Sequence, residues 1–330
     1  MIKNLINKNM SFKFIDLFAG VGGIRIPFEE LGGQCVFTSE WDKYSQLTYE
    51  TNFSHKPDGD ITKILAENIP EFDILLGGFP CQAFSHAGKK LGFDDIRGTL
   101  FFDVARIIDF HKPKAFLLEN VKGLVGHDKG RTFNIIKKTL IDLGYNIHYK
   151  VLNAKHFGLP QNRERIYIIG FLEDLDFEFP SAPNTPTRFG NILEEVVPAN
   201  YTISDKLWAS HQERKKRNML KGWGFGYSIF DENSAYTSTI SARYYKDGSE
   251  ILISQLGKNP RKLTPREAAR LQGFPDTFII PVSDTQAYKQ FGNSVSVPVI
   301  RAIANEILFS LKFLKNELRK PKPKQLSIAY

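Results

Sequence analysis

The stretch "GGFPCQAFS", residues 77–85, holds one of only two cysteines in a chain of 330 residues. The apolar run "DILL" before it reads as a buried strand, which Gly77, Gly78 and Pro80 break abruptly. Cys81 thereby falls at the carboxyl end of a strand, where open α/β sheets place their ligands and chemistry. A lone cysteine is more often a small buried hydrophobe. This placement makes it a candidate for ligand binding or chemistry instead. Glu119 and Asn120 end the apolar run "AFLLEN", and Arg163 and Arg165 stand in "QNRER" just before "IYIIGF". Taken singly, a glutamate at a strand end reads as a loop and "QNRER" as a solvated charge run.

A second site precedes these groups. "FIDLFAGVGG" runs a strand into a glycine-rich turn, where Gly20 and Gly23 let backbone approach a ligand closely. Glu40 follows Gly20 by 20 residues and ends the next strand, the usual place for a carboxylate that binds ribose hydroxyls. Trp41 is placed to stack on adenine, and Asp60, beside Ile61 in "GDIT", to accept from an exocyclic amine. The spacing departs from G-x-G-x-x-G, which disfavours a pyrophosphate ligand. An adenosine without pyrophosphate fits better, and S-adenosylmethionine is the candidate.

The elements that must position these groups alternate in type. Strands are expected at 12–18, 35–40, 73–78, 115–120, 146–153 and 165–171, with helices at 99–111 and 132–144. Such alternation predicts an α/β fold with a doubly wound, mostly parallel sheet. The texture changes near Pro180, where "PSAPNTPTRFG" reads as a linker. Beyond it lie the basic run "HQERKKRNMLKG" and the glycine–aromatic segment "GWGFGYSIF". A helix returns at "LTPREAARLQGF", with Thr264 as N-cap, Pro265 at its first position and Glu267 closing a capping box. A last helix is expected over 297–319, followed by a basic, proline-broken tail.

Net charge is +8, which points to a polyanionic partner such as nucleic acid, or to a mildly basic enzyme without one. Two cysteines cannot build a disulfide framework, so a reducing cytoplasm is expected. No signal peptide is read at the amino terminus, no metal site in the histidine and cysteine pattern, and no apolar run of roughly 20 residues that would span a bilayer.

These motifs together resemble the DNA cytosine-5 methyltransferases. The resemblance is carried in order by "DLFAGVGG", "GFPCQAFS", "RGTLFFDVARI", "LLENVKGL", "PQNRERIYIIGF", "RKLTPREAARLQGFPD" and "AYKQFGNSVSVPV". It implies a Rossmann-like, S-adenosylmethionine-dependent methyltransferase domain and a second, smaller target-recognition domain. The expected division is 1–184 catalytic, 185–284 target recognition, and 285–330 returning to the catalytic domain. The resemblance implies that Cys81 adds to the cytosine ring, Glu119 bonds or protonates ring nitrogen 3, and Arg163 and Arg165 orient a flipped base. Phe18, Gly20, Val21, Gly23, Gly78, Pro80 and Leu100 complete the implied cofactor pocket, with Asn293 and Ser294 closing over it. Asn120 is expected to tie down the turn around Cys81 by hydrogen bonds. Gln82, Ser85 and residues 87–95 resemble the family's mobile loop over DNA.

Thr239–Ile240 resembles the family's threonine–leucine pair of the target-reading region, with isoleucine substituted. Arg243, Trp223 and Tyr227 are candidate groove or stacking residues, against an equally good reading as exposed structural ones. "GWGFGYSIF" and "SARYYKDGSEILI" most resemble segments that read short, GC-rich palindromes beginning with paired cytosines. The implied partners are double-stranded DNA and a cognate restriction endonuclease, with a monomeric, cytoplasmic bacterial enzyme and S-adenosyl-L-homocysteine as its cofactor product. Three other readings remain at this point: a transfer-RNA cytosine-5 methyltransferase, a catalytically inactive DNA-binding relative and, more distantly, a nicotinamide-dependent dehydrogenase.

Overall fold

The apolar runs of the first 171 residues pair into one sheet, in a computed structural model that describes residues 11–80 and 100–313. Cys81, Gln82, Ser85 and the 87–95 segment lie outside the described residues. The elements in chain order are β1 (Lys13–Leu17), α1 (Arg25–Glu30), β2 (Gln34–Ser39), α2 (Lys43–Phe53), β3 (Ile74–Gly77) and α3 (Leu100–His111). There follow β4 (Ala115–Val121), α4 (Arg131–Asp142), β5 (Asn146–Asn153) and β6 (Glu164–Phe171).

The sheet order is β2-β1-β3-β4-β6-β5. Pairs β1–β2, β1–β3 and β3–β4 are parallel, whereas β6 runs antiparallel to both β4 and β5. The departure from parallel pairing comes where no α-helix separates two strands. One 3-10 turn at Ala154–Phe157 leads from β5 towards β6, and an antiparallel pair needs no crossover helix. Side chains alternate between two apolar layers, as strands covered on both faces require. Phe14, Leu76, Leu117 and Ile169 pack with Phe28 of α1 and with Ile300, Ile303 and Ile307 of the last helix. Ile15, Leu75, Phe116 and Ile168 pack with Val104 and Ile108 of α3 and with Phe133 and Ile136 of α4.

After the proline-rich segment come α5 (Asp205–Leu220), β7 (Ile229–Phe230), β8 (Leu252–Gln255) and β9 (Lys258–Arg261). The three strands form a separate small sheet. Helix α5 carries the basic run and starts at a Ser204 cap that accepts from Leu207 N. Helix α6 (Pro265–Leu271) has the expected capping box, with Glu267 N donating to Thr264 Oγ1 and Thr264 N to Glu267 Oε2. Helices α7 (Asp284–Asn293) and α8 (Val297–Ser310) follow. Helix α8 ends before residue 319: Leu311–Phe313 form a turn with Lys312 at φ 59, a left-handed conformation that stops a helix.

A third apolar cluster joins Val21 and Ile26 beside the glycine loop to Phe189, Ile240, Tyr244, Leu263, Phe274, Phe291 and Val297. The three consecutive segments of the chain therefore share a core beside the glycine loop that follows β1. Among the described residues, no helix is long and apolar enough to cross a membrane.

Candidate active site and a buried polar junction

The glycine loop leaves β1 with Phe18 at φ 54, Gly20 at φ 55 and Gly22 at φ 82, a run of left-handed conformations that turns the backbone sharply. Gly20 N donates to Glu40 Oε2 at 2.8 Å, and Asp42 N to Glu40 Oε1 at 2.8 Å. The carboxylate at the end of β2 is thus fixed by two backbone donors and keeps lone pairs for a ligand. Burial pushes its pKa up, against the pull of those donors. Trp41 is 76% exposed and presents an open ring beside it. Asp60 caps the turn at Ile61–Lys63, accepting from Thr62 N and Oγ1, and Ile61 is buried. A Cβ on Gly20 would meet nothing within 4 Å, so the loop borders open space.

Beneath the loop sits a carboxylate that sequence reasoning passed over. Asp16 of β1 is fully buried, with the Tyr49 hydroxyl 3.4 Å from Oδ2 and no partner at Oδ1. Arg25 Nη1 donates to that hydroxyl at 3.0 Å. Burial pushes the Asp16 carboxyl up to about 7, although Arg25 opposes it. The one signal in the sequence is an acid inside the apolar run "FIDLF".

The second constellation forms at the ends of β3, β4 and β6. A Cβ on Gly78 would lie 3.6 Å from Glu119 Oε2, so the carboxylate stands over the turn that leads to Cys81. Asn120 Nδ2 donates to the Phe79 carbonyl at 2.8 Å and pins the same turn two residues before the cysteine. Arg165 Nε lies 3.1 Å from Glu119 Oε1, across the antiparallel β4–β6 pair. Burial raises the Glu119 pKa, while Arg165 and then Arg163 draw it down. A carboxyl so placed can hold or give a proton. Pro80, at the end of the turn, is exposed, and Leu100 opens α3 half-buried.

Arg163 is turned elsewhere. Its guanidinium, 2% exposed, donates from Nη1 to the Ile240 carbonyl and from Nη2 to the carbonyls of Gly292 and Ser294. Burial and then the neighbouring Arg165 disfavour its charge, while Glu119 favours it. Gln161, fully buried, joins the same junction. Its Nε2 donates to Leu271 O and Gln272 Oε1, and its Oε1 accepts from Ile240 N. Gln161 stands in "QNRER", yet nothing local marks it as a buried hub. Ser294 packs against the glycine loop: a Cβ on Gly23 would lie 2.8 Å from Ser294 Oγ. Asn293 is exposed at the end of α7.

The target-reading candidates differ in their surroundings. Thr239 Oγ1 donates to Asn162 O at 2.6 Å, and its neighbour Ile240 is core. Tyr227, half-buried, packs edge-on against Trp208 of α5 beneath the Lys215 ammonium. Trp223 stacks on Phe225 at 5.4 Å, both exposed, and Arg243 is exposed.

The model of the C-5 cytosine-specific DNA methylases matches residues 12–308. The chain belongs to that family. This methylase is 62% identical over 311 residues to "Type II methyltransferase M.SsoII" of Shigella sonnei, covering 92% of this chain and 82% of that protein. It is 60% identical over 304 residues to "Type II methyltransferase M.NlaX" of Neisseria lactamica, covering 91% and 97%. In fold it is similar to the S. pombe Dnmt2 methyltransferase, with a TM-score of 0.76, 18% identity, and coverage of 91% of this chain and 99% of that one. The methylase is thus a DNA cytosine-5 methyltransferase with the α/β, mostly parallel sheet expected of it.

Proposed function

We propose that this methylase transfers a methyl group to carbon 5 of a cytosine flipped out of a specific duplex site, through a transient bond between Cys81 and carbon 6. The observation that carries this reading is the Glu119 carboxyl, buried, raised in pKa and held by Arg165 over the turn that leads to Cys81. A base inside a duplex is beyond reach of such a pocket, so it must leave the stack.

S-adenosylmethionine would lie between the open glycine loop, Glu40 and Trp41, with Asp60 and Ile61 at the adenine. When bound it supplies an electrophilic methyl group on sulfonium. The chain's own groups do the rest. The Cys81 thiolate forms a bond to carbon 6, and the carbon 5–carbon 6 π pair becomes available at carbon 5. Glu119 bonds or protonates ring nitrogen 3 and so draws electrons as the thiolate adds. Carbon 5 takes the methyl group, leaving a neutral thioether. A base then removes the carbon-5 proton, the double bond re-forms, Cys81 departs as thiolate, and any proton given to ring nitrogen 3 returns to Glu119. Cys35 is a poor rival: it lies within β2 with its Sγ held 3.3 Å from Thr38 Oγ1, and burial pushes its thiol pKa up.

Residues 185–284 read the site, with phosphates held by the basic face of α5 and target contacts from Thr239, Arg243 and Trp223. The likeness to Type II methyltransferases supports a place in a restriction–modification system; a cognate endonuclease as partner and a cytoplasmic, monomeric enzyme complete the reading. Bisulfite sequencing of DNA from cells expressing the protein maps the site and tests the lean towards a GC-rich palindrome beginning with CC. A duplex carrying 5-fluorocytosine there should then trap the protein covalently, only with S-adenosylmethionine present, because fluorine cannot leave as a cation. Cys81→Ser should abolish the adduct, Cys35→Ser should leave it, and Glu119→Gln should slow it severely. An adduct surviving in Cys81→Ser would overturn the mechanism.

A further inference from the structure

Residues of the cofactor loop and of the target-reading segment are far apart in the chain, yet a short run of direct contacts joins them. Ser294 Oγ and Val295 Cγ2 occupy the space 2.8 and 2.9 Å from a Cβ placed on Gly23. The carbonyls of Gly292 and Ser294 accept from Arg163 Nη2, and Nη1 of the same guanidinium donates to Ile240 O at 3.2 Å. Gly292 is pressed on the Ser241–Ala242 peptide so closely that a Cβ would fall 2.3 Å from Ser241 backbone atoms. Thr239, next along, is anchored to Asn162, the residue before Arg163. Neither side can shift without disturbing the guanidinium.

We propose that Arg163 is a positioning residue that couples cofactor binding at the glycine loop to the conformation of the target-reading segment around Thr239–Arg243. The inference rests on the reading of that loop as the S-adenosylmethionine site. A planar guanidinium suits the task, because its fixed fork donates to two backbone segments at once, which one ammonium cannot do with the same geometry. Charge-assisted bonds to carbonyls are stronger than neutral ones, so the fork holds both segments in one register. Coupling of this kind is reciprocal: cofactor binding that settles residues 292–296 would pre-order Ile240 and its neighbours, and duplex binding there would tighten the cofactor by the same factor.

Hydrogen exchange of the wild-type protein tests this without any substitution, with S-adenosyl-L-homocysteine as the probe. The expected result is slowed exchange at residues 18–23 and 292–296 and also, several-fold, at 237–243. Slowing confined to 18–23 and 292–296 overturns the coupling and leaves the cofactor reading standing. No slowing at 18–23 removes the cofactor reading and the coupling with it. A second arm measures S-adenosyl-L-homocysteine affinity with and without a duplex bearing the mapped site. In the wild type the two should differ on the order of ten-fold, and in Arg163→Lys by less than about two-fold. A variant that merely loses stability while keeping the ten-fold ratio assigns Arg163 a structural role alone and overturns the proposal.

Discussion

In the central sheet, Ile15, Leu75, Phe116 and Ile168 line one face, and Phe14, Leu76, Leu117 and Ile169 the other. In residues 185–284 the strands are two to four residues long, and paired polar groups do much of the holding. Arg261 grips Glu267 through both carboxylate oxygens at 2.7 and 2.8 Å, and Glu267 also accepts from Thr264 N and Glu194 N. Arg214 donates to Asp247, to His211 Nδ1 and to Gly226 O, fastening the glycine–aromatic segment to α5. The difference is physical. Apolar layers accept any filling of suitable shape, whereas buried polar groups are stable in one geometry and costly in others. A scaffold can be layered; the DNA-reading surface proposed for 185–284 would gain from the stricter kind of support.

The sharpest test of this contrast is Glu267→Ala, which leaves Arg261 buried and unpaired at a cost of about 3–5 kcal/mol. Hydrogen exchange should then quicken first within 185–284. Leu117→Ala, costing about 2–5 kcal/mol by the cavity it opens, should instead loosen the whole sheet cooperatively. Equal and uniform loosening in both variants, followed by urea titration and exchange, would break the contrast.

Asp16 is the exception inside the layered half, a buried acid with one oxygen unpartnered. Its folded pKa of about 7 lies above the unfolded value near 4. Between those values the native state binds more protons, so stability falls as pH rises from about 4 to 7 and levels off above. Asp16→Asn should remove that falling limb, which is at most about 1.4 kcal/mol per pH unit. Urea midpoints across this range decide it; an unchanged slope in the variant assigns the pH dependence elsewhere.

The smallest effect is expected at Trp41. Loss of an aromatic stack is worth on the order of 1 kcal/mol, so Trp41→Ala should weaken S-adenosylmethionine binding several-fold and leave folding unchanged. Calorimetry showing equal affinity would reject the ring as an adenine platform.

Much of the sheet half is legible locally. Six apolar runs announce six strands, and Glu40, Glu119 and the glycine loop stand at or near their ends, where chemistry in such sheets collects. The capping box of α6 is equally readable, since Thr264 and Glu267 are three residues apart and satisfy each other's backbone donors. Within 185–284 the sequence shows composition but little geometry. Tyr227 and Trp223 read alike as candidate stacking residues, yet one packs half-buried against Trp208 and the other is an exposed ring.

By itself, then, the sequence determined what is encoded between near neighbours: the period of each strand, the caps, and the order of the motifs that mark the family. Tertiary structure alone decided that β6 enters between β4 and β5, that Asp16 lies buried beneath the loop, and that Arg163 clasps Ile240, Gly292 and Ser294. The reason is distance along the chain. Those carbonyls lie 77, 129 and 131 residues from Arg163, and a backbone carbonyl looks the same in every residue, so no local pattern could say which of them a buried guanidinium would find.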